Sequence, residues 1–572
     1  MTDHPIQVRG AVARRRTAVA GALLLVAALS GCVSIPTSGG IVSVPGDLPE
    51  PGIGIPFPAG PEPDATPEQI VAGFVRAGEA GVYSDNFEKA LEFLTPATGQ
   101  TWQPRGGTVV YSGDPEVLAG AHDTVVVEVP EVATVDGSGR YTESASQATA
   151  RQMHFTLQQD ANSQWRISEL EDGVLMSLPS FLDSHRQVRI YFATSDQEQL
   201  LPELRWFPAQ NVVVSAATAL FEGPSPWLRD GVARAIPAGT RLSPAGITLS
   251  AGILTLELSS GVDRTADREL LQAQLEATFG RFTDPVVTAV VVTAGGLPWT
   301  PNGVPALDRD VSPETGPFVI SGDQLAVVEG RDSVVPVDGA ASLAGLAANS
   351  PAVSLDGKIR VVRDGSARLY QLPTDGRPPQ LLIEGTSLVA PSIDRYGWVW
   401  TGERTSSGVL LSVAPDGAPV EVAADWLQGR ELRSMRVSRD GTRVAIVSVG
   451  PDMRADVQVA SVVRDPQTGQ PQRLSEERLT VGASLDDVTE VAWVDEITLA
   501  ALGTSGVGDV TAYRIPLGGP TRALPIRDGV TALAAAKDRL YILADGVLLQ
   551  QAGTGWTEVA VDVDVRDPVF PG

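Results

Sequence analysis

The sequence holds one cysteine, Cys32, in the stretch Leu29-Ser30-Gly31-Cys32. A thiolate is a strong nucleophile toward an alkylating donor. Small neighbours such as Ser30 and Gly31 leave the backbone before it accessible. The other residue types that carry chemistry are sparse. Once a leader is removed, three histidines remain, His122, His154 and His185. None lies within metal-ligand spacing of another, and no His-Glu-x-x-His helix or cysteine pair accompanies them. No Gly-x-Ser-x-Gly elbow occurs. "GTSGVGDV", Gly503 to Val510, has clustered glycines but no following lysine, which reads as a hairpin loop rather than a phosphate cradle. The acidic pairs Asp486-Asp487 and Glu171-Asp172 lack the alternating ligand spacing of a calcium loop. Trp398 and Trp400 alternate along a strand and share a face. That face reads as packing surface, with a carbohydrate platform as the alternative. No metal, cofactor or catalytic residue is expected.

The elements around Cys32 explain its position. Arg14, Arg15 and Arg16 form a basic n-region, and Ala18 to Leu29 is a short apolar core. A membrane span needs about 20 apolar residues, so this is a secretory signal. A cysteine at the end of such a signal, behind Leu-Ser-Gly, resembles the lipobox of bacterial lipoproteins. The resemblance implies S-diacylglycerol and N-acyl modification of Cys32, cleavage between Gly31 and Cys32, and a membrane anchor on the extracytoplasmic face. An uncleaved anchor with an inert cysteine is the alternative. Each buried acyl CH₂ contributes about 0.8 kcal/mol, so two or three chains hold firmly. Removing residues 1–31 takes away Arg9, Arg14, Arg15, Arg16 and Asp3, which moves the net charge from −26 to −29. Such a chain repels nucleic acid and anionic headgroups, leaving the lipid to hold it at the membrane. With its one thiol committed, stability must come from buried core.

Residues 32–63 form a tether. From Val33 to Pro63, 14 of 31 residues are Pro or Gly, which gives an extended, semi-stiff spacer. Three folded regions follow, at 64–182, 183–300 and 301–572. The first opens with "TPEQIVAGFVRAG", where Thr66, Pro67 and Gln69 supply an N-cap, a first-turn proline and a capping-box partner. A second helical run is expected to bury Phe87, Leu91 and Leu94. Strands "GTVVYSG", "DTVVVEVPEVATV", "RQMHFTLQQ" and "QWRISEL" come next. Helices followed by a curled sheet resemble an NTF2-like α+β cone. The second region runs strand "VRIYFATSD", strand "ELRWFP", helix "ATALFEG", turn "IPAGTRL", strand "AGILTLELSS", helix "RELLQAQLEATFG" and strand "DPVVTAVVVTAGG". With Gly223-Pro224 and Ile236-Pro237 in its turns, this order resembles the GerMN α/β module, which implies binding or scaffolding.

The third region repeats a strand, a turn and a strand, with aspartates at Asp323, Asp356, Asp394, Asp440, Asp495 and Asp538. Those intervals match the blades of a β-propeller. Asp-Gly at 356–357 and 440–441 suits left-handed turn backbone. Six blades are expected, with seven left open, and "RDPVFPG" is expected to close the ring on the first blade. The fold is therefore multidomain, α+β followed by all-β. Taken with "IPTSG" just after Cys32, the order of parts resembles the actinobacterial LpqB lipoprotein family. That resemblance implies a non-enzymatic accessory lipoprotein at the cell membrane, whose partner is the extracytoplasmic domain of a two-component sensor kinase, MtrB, in cell-wall and division control. The second reading is an envelope enzyme or cell-wall glycan binder that uses the propeller channel. Convergent carboxylates with His or metal ligands in the channel would favour the enzyme, and an apolar outer patch a protein partner.

Overall fold

Thr66 starts the first helix as its sequence requires. In the computed structural model, which describes residues 59–572 apart from Asp85, 146–149, 237–241, 260–266, 415–416, Val507 and 561–562, the helix spans Pro67–Gly81. The Gln69 N–H donates to Thr66 Oγ1 at 3.3 Å, and the Gln69 side chain accepts from the Thr66 N–H at 2.9 Å. Ile70, Val71, Phe74 and Val75 are buried, with Phe74 against Trp102 and Phe155. The second helix is shorter than its pattern suggests. It covers Glu88–Leu91 only, and Leu91 is 41% exposed while Phe87 and Leu94 are buried. The chain leaves the helix early because Phe93 and Thr95 bond the backbone of Ile167 across the sheet, at 2.9 Å each. Tertiary pairing overrides local periodicity here.

The sheet runs in the order Trp165–Glu169, Ala150–Gln159, Thr124–Asp136, Gly107–Tyr111, Val174–Ser177, with Glu116–Ala119 and Tyr141–Glu143 also on the long strand. The last pair is parallel and the rest antiparallel. Val125, Val127 and Val129 point to the core, and a register shift opposite Tyr111 lets the 13-residue strand curl. In the second region, His185–Ala193 and Leu200–Pro208 make a hairpin whose second strand is buried from Leu200 to Phe207. A separate four-stranded sheet orders Leu242–Ser250, Ile253–Leu258, Ala289–Ala294 and Leu297–Pro298. Helix Val212–Glu222 ends at Gly223, whose φ of 90° is one L side chains rarely adopt. Helix Arg268–Phe279, capped by Asp267, is the crossover between two parallel strands. Part of the turn after Ile236, from Pro237, lies outside the described residues.

Beyond residue 317 the described residues form six blades, four of them separate four-stranded sheets and the third and fourth joined in one nine-stranded sheet, in which Leu479–Val481 adds a fifth strand to the fourth blade. Their inner strands are Ala348–Val353, Ser392–Ile393, Glu431–Val437, Asp487–Trp493, Val530–Ala536 and, for the first blade, Arg566–Val569. The last of these pairs antiparallel with Phe318–Ser321, so the ring closes with strands from both ends of the region, as "RDPVFPG" suggested. The repeated aspartates explain the turns in four blades. Asp356, Asp394, Asp440 and Asp495 each accept a backbone N–H two residues on. In the first and last blades the turn is tighter, and it is Gly322 (φ 55°) and Lys537 (φ 52°) that take left-handed backbone.

The three regions are not beads on a string. One hydrophobic cluster contains Trp227, Leu228 and Leu254 of the second region together with Ala445, Val459, Trp493 and Leu499 of the propeller. Trp206 Nε1 donates to the Gly518 carbonyl at 2.8 Å. Arg395 pairs with Asp196 and Glu198, and Glu143 of the first sheet accepts from Thr521 N at 2.9 Å.

Candidate functional site

Gly31 and Cys32 lie outside the described residues. Among those described, no helix is long and apolar enough to cross a membrane, and no group of His, Cys, Asp or Glu could hold a metal ion. His122 and His154 are exposed. His185 is buried, stacked on Phe181 at 4.6 Å, with Ser184 Oγ 2.8 Å from its Nδ1. Asp487 faces Arg433 at 2.5 Å and Asp486 accepts from Gly506 N, while Glu171 pairs with Arg151 and Asp172 caps Gln103 N. The stretch from Gly503 links two strands of the fifth blade. Trp400 is fully buried, its indole N–H on Asp394 Oδ2 at 2.8 Å, and Trp398 is half-buried beside it. That pair packs the third blade and offers no sugar platform.

Burial lowers the His185 pKa from 6.5 to about 4, the nearby Arg186 adding to it and a backbone hydrogen bond at Phe181 opposing. The unfolded chain therefore takes up a proton near pH 6.5 while the folded chain does so only near 4. The stability is complete above pH 6.5 and is lost as pH falls through that window, by about 3 kcal/mol in all. His185→Asn should flatten this part of the profile in urea titrations between pH 7 and 4. An unchanged profile would show that His185 does not set it.

Two surfaces remain as sites. The first is the open face of the four-stranded sheet. Leu254, Leu256, Val290 and Val292 point into the core, and the alternate residues Ser250, Ile253, Thr255, Ala289 and Val291 form the other side. Ile253 is 44% and Val291 38% exposed. Glu257 is the charge on this face among the strands Ile253–Leu258 and Ala289–Ala294, and it is held by Thr293 Oγ1 and the Gly296 N–H. Those contacts keep its pKa below the usual range. Solvent-facing strands normally alternate with charged residues, so the uncharged run Val286 to Gly296 was the sequence signal for this face.

The second is the propeller channel. One end is plugged by Arg439, which donates to the carbonyls of Pro571 (3.2 Å), Trp493 (3.1 Å) and Ala535 (2.9 Å). The other end opens into a cavity of about 260 Å³ lined by Arg363, Arg404, Arg433, Arg436, Glu490 and Asp567 among others, with no histidine among the residues described there. These side chains come from strands and turns up to 204 positions apart, between 363 and 567, and only ring closure gathers them.

The comparisons match this architecture region by region. The description "Lipoprotein LpqB, N-terminal domain" matches residues 60–182, "Sporulation and spore germination" matches 189–299, and "Lipoprotein LpqB beta-propeller domain" matches 323–571. The chain belongs to the LpqB lipoprotein family. Lipoprotein LpqB of Bifidobacterium longum is 27% identical over 87% of this chain and 89% of its own. Lipoprotein LpqB of Streptomyces coelicolor is 28% identical over 99% of both. Among solved structures, YCF48 from Cyanidioschyzon merolae aligns at 16% identity and a TM-score of 0.28, covering 41% of this chain and 76% of that one. The six blades rest on strand pairing alone. Members of the LpqB family carry a lipoprotein name, in keeping with an anchored envelope protein.

Proposed function

We propose that this chain is a non-enzymatic accessory lipoprotein, held by lipid on Cys32 to the extracytoplasmic face of the cell membrane, that binds the external domain of an MtrB-like sensor kinase and tunes its signalling. The observation that carries the reading is the open sheet face. A chain with net charge −26 leaves an apolar, nearly uncharged strip around Ile253 and Val291 in solvent. Depletion of charge with retained apolar surface marks the centre of a protein interface. The anchor then adds to affinity by confinement, because both partners share a thin layer at the membrane.

The test pairs binding with localisation. The purified external kinase domain should be retained by the chain at micromolar concentration, and Val291→Asp should weaken retention at least tenfold without moving the urea midpoint. No retention by the unsubstituted chain would count against the partner, and an unaffected variant against the face. Cys32→Ser should leave the membrane fraction while staying folded. If it remains there after a carbonate wash, the anchor lies elsewhere.

A further inference from the structure

The open end of the channel differs in character from the rest of this acidic molecule. Four arginines and two carboxylates line it. At the rim, Arg404 Nη1 donates to Glu431 at 2.7 Å and Arg433 Nη1 to Asp487 at 2.5 Å, so these pairs are balanced. Deeper in, balance fails. The guanidinium of Arg363 donates to neutral acceptors only: Asn349 Oδ1 (2.8 Å), the Leu388 carbonyl (2.6 Å) and Ser350 Oγ (3.2 Å). Arg436 donates to the Met435 carbonyl at 2.9 Å and reaches Glu490 only at 3.5 Å.

Two half-buried cations therefore face one cavity, Arg363 with no ion pair among the described residues and Arg436 with the single long one to Glu490. Desolvation disfavours both. Burial lowers the pKa of Arg363, Asp567 opposing and Arg436 and Arg404 adding to it, and burial lowers that of Arg436, with Glu490 opposing. Burial disfavours the charged form of the carboxylates facing them as well. Burial pushes Glu490 up to about 7, against the pull of Arg436, and raises Asp567 as well. Arg404, 53% exposed, bonds to Glu431 through Nη1, its one side-chain hydrogen bond among the described residues.

We infer that the open mouth of the propeller channel binds a small oxyanion, a phosphate or carboxylate group, held by Arg363, Arg404 and Arg436. An oxyanion would supply the counter-charge that Arg363 lacks and that Glu490 gives Arg436 only at 3.5 Å, and guanidinium forks suit it because they can donate two parallel hydrogen bonds. A cavity of about 260 Å³ admits such a group with little more than one sugar-sized body behind it. The inference does not depend on the kinase partner, since the site lies on a different surface.

The test uses the full chain in detergent, with sulfate, inorganic phosphate and citrate as probes and chloride at equal ionic strength as the control. Sulfate and phosphate stabilise many folds by exclusion from the surface, so the reading is the difference between chains in one salt. The unsubstituted chain should show a saturable rise in Tm, and the double variant Arg404→Gln, Arg436→Gln should need at least tenfold more anion for half the rise. If the double variant does not fold, Arg404→Gln alone should need about threefold more. Citrate acting at lower concentration than phosphate would assign a carboxylate, and the reverse a phosphate.

Sulfate keeps its charge from pH 6 to 8, so it also reads the site's own titration. Affinity for it should rise as pH falls across that range while Glu490 takes up its proton. The other charged groups that face it are Arg363, Arg404, Arg433 and Arg436, with Glu431 and Asp487 at the rim. Asp567 is the other half-buried carboxylate in the site. Glu490→Gln should therefore bind more tightly at pH 8 and lose the dependence. A variant with both arginines replaced that responds like the parent, or a parent with no saturable response, overturns the inference.

Discussion

A chain ending at Val565 is expected to lose its propeller. Arg566–Val569 is the innermost strand of the first blade and pairs with Phe318 and Ile320. Without it, Phe318–Ser321 becomes an open edge at the centre of the ring. The same segment seals the channel: Phe570 is buried beside Tyr541, the Gly572 N–H donates to the Val353 carbonyl at 3.0 Å, and Pro571 takes one of the three hydrogen bonds of Arg439. Truncation therefore strands a buried cation as well as apolar surface. The measurement is limited proteolysis of the purified chain. Rapid cutting throughout residues 318–559 is expected, against slow cutting of the intact protein, and equal resistance would refute the closure. Phe570→Ala is the graded version, expected to cost about 3–5 kcal/mol.

Asp394→Ala is the second large effect. Its carboxylate is fully buried and fully used. Oδ1 accepts the N–H groups of Tyr396 (3.0 Å) and Trp398 (2.9 Å), and Oδ2 accepts from Trp400 Nε1 (2.8 Å) and Arg464 Nη2 (2.6 Å). Arg464 is 4% exposed and lies over the rings of Tyr396 and Trp400. Removing the carboxylate leaves that guanidinium uncompensated in the interior, for about 3–5 kcal/mol lost. The contrast is Asp538→Ala, at an exposed position in a tight turn set by Lys537, expected within about 0.5 kcal/mol of the parent. Urea midpoints of the two variants decide it. Similar values would mean that the repeated aspartates are equivalent, which the hydrogen bonds deny.

That contrast also shows what could be read from residues alone. The spacing of six aspartates marked the blades, because five sit at a turn between inner and second strand and Asp323 at the turn between the second and third strands of the first blade. Spacing could not separate the buried hub at Asp394 from the exposed Asp323 and Asp538, since depth depends on which blade faces its neighbours. Thr66 and Gln69 announced a helix start because a capping box is a local, self-contained geometry. Leu91 misled, because the pairing of Phe93 and Thr95 with Ile167 joins residues more than 70 apart. The short strands Glu116–Ala119 and Tyr141–Glu143 carried too few residues for a periodic pattern. The uncharged run near Val291 was legible as sequence, yet which side of its sheet stays bare was decided by the helices that cover the other. The channel arginines had no signature at all, being gathered from several blades.

Completing the first blade with a strand about 245 positions downstream has a kinetic consequence. Phe318–Ser321 must wait for every later blade before its inner neighbour exists, so the ring cannot be built by adding finished units in order. Pairings of such long sequence separation are slow to form and expose sticky edges in the meantime. Assembly should then be a late, concerted event, with the open edge a target for holding chaperones until the last strand arrives.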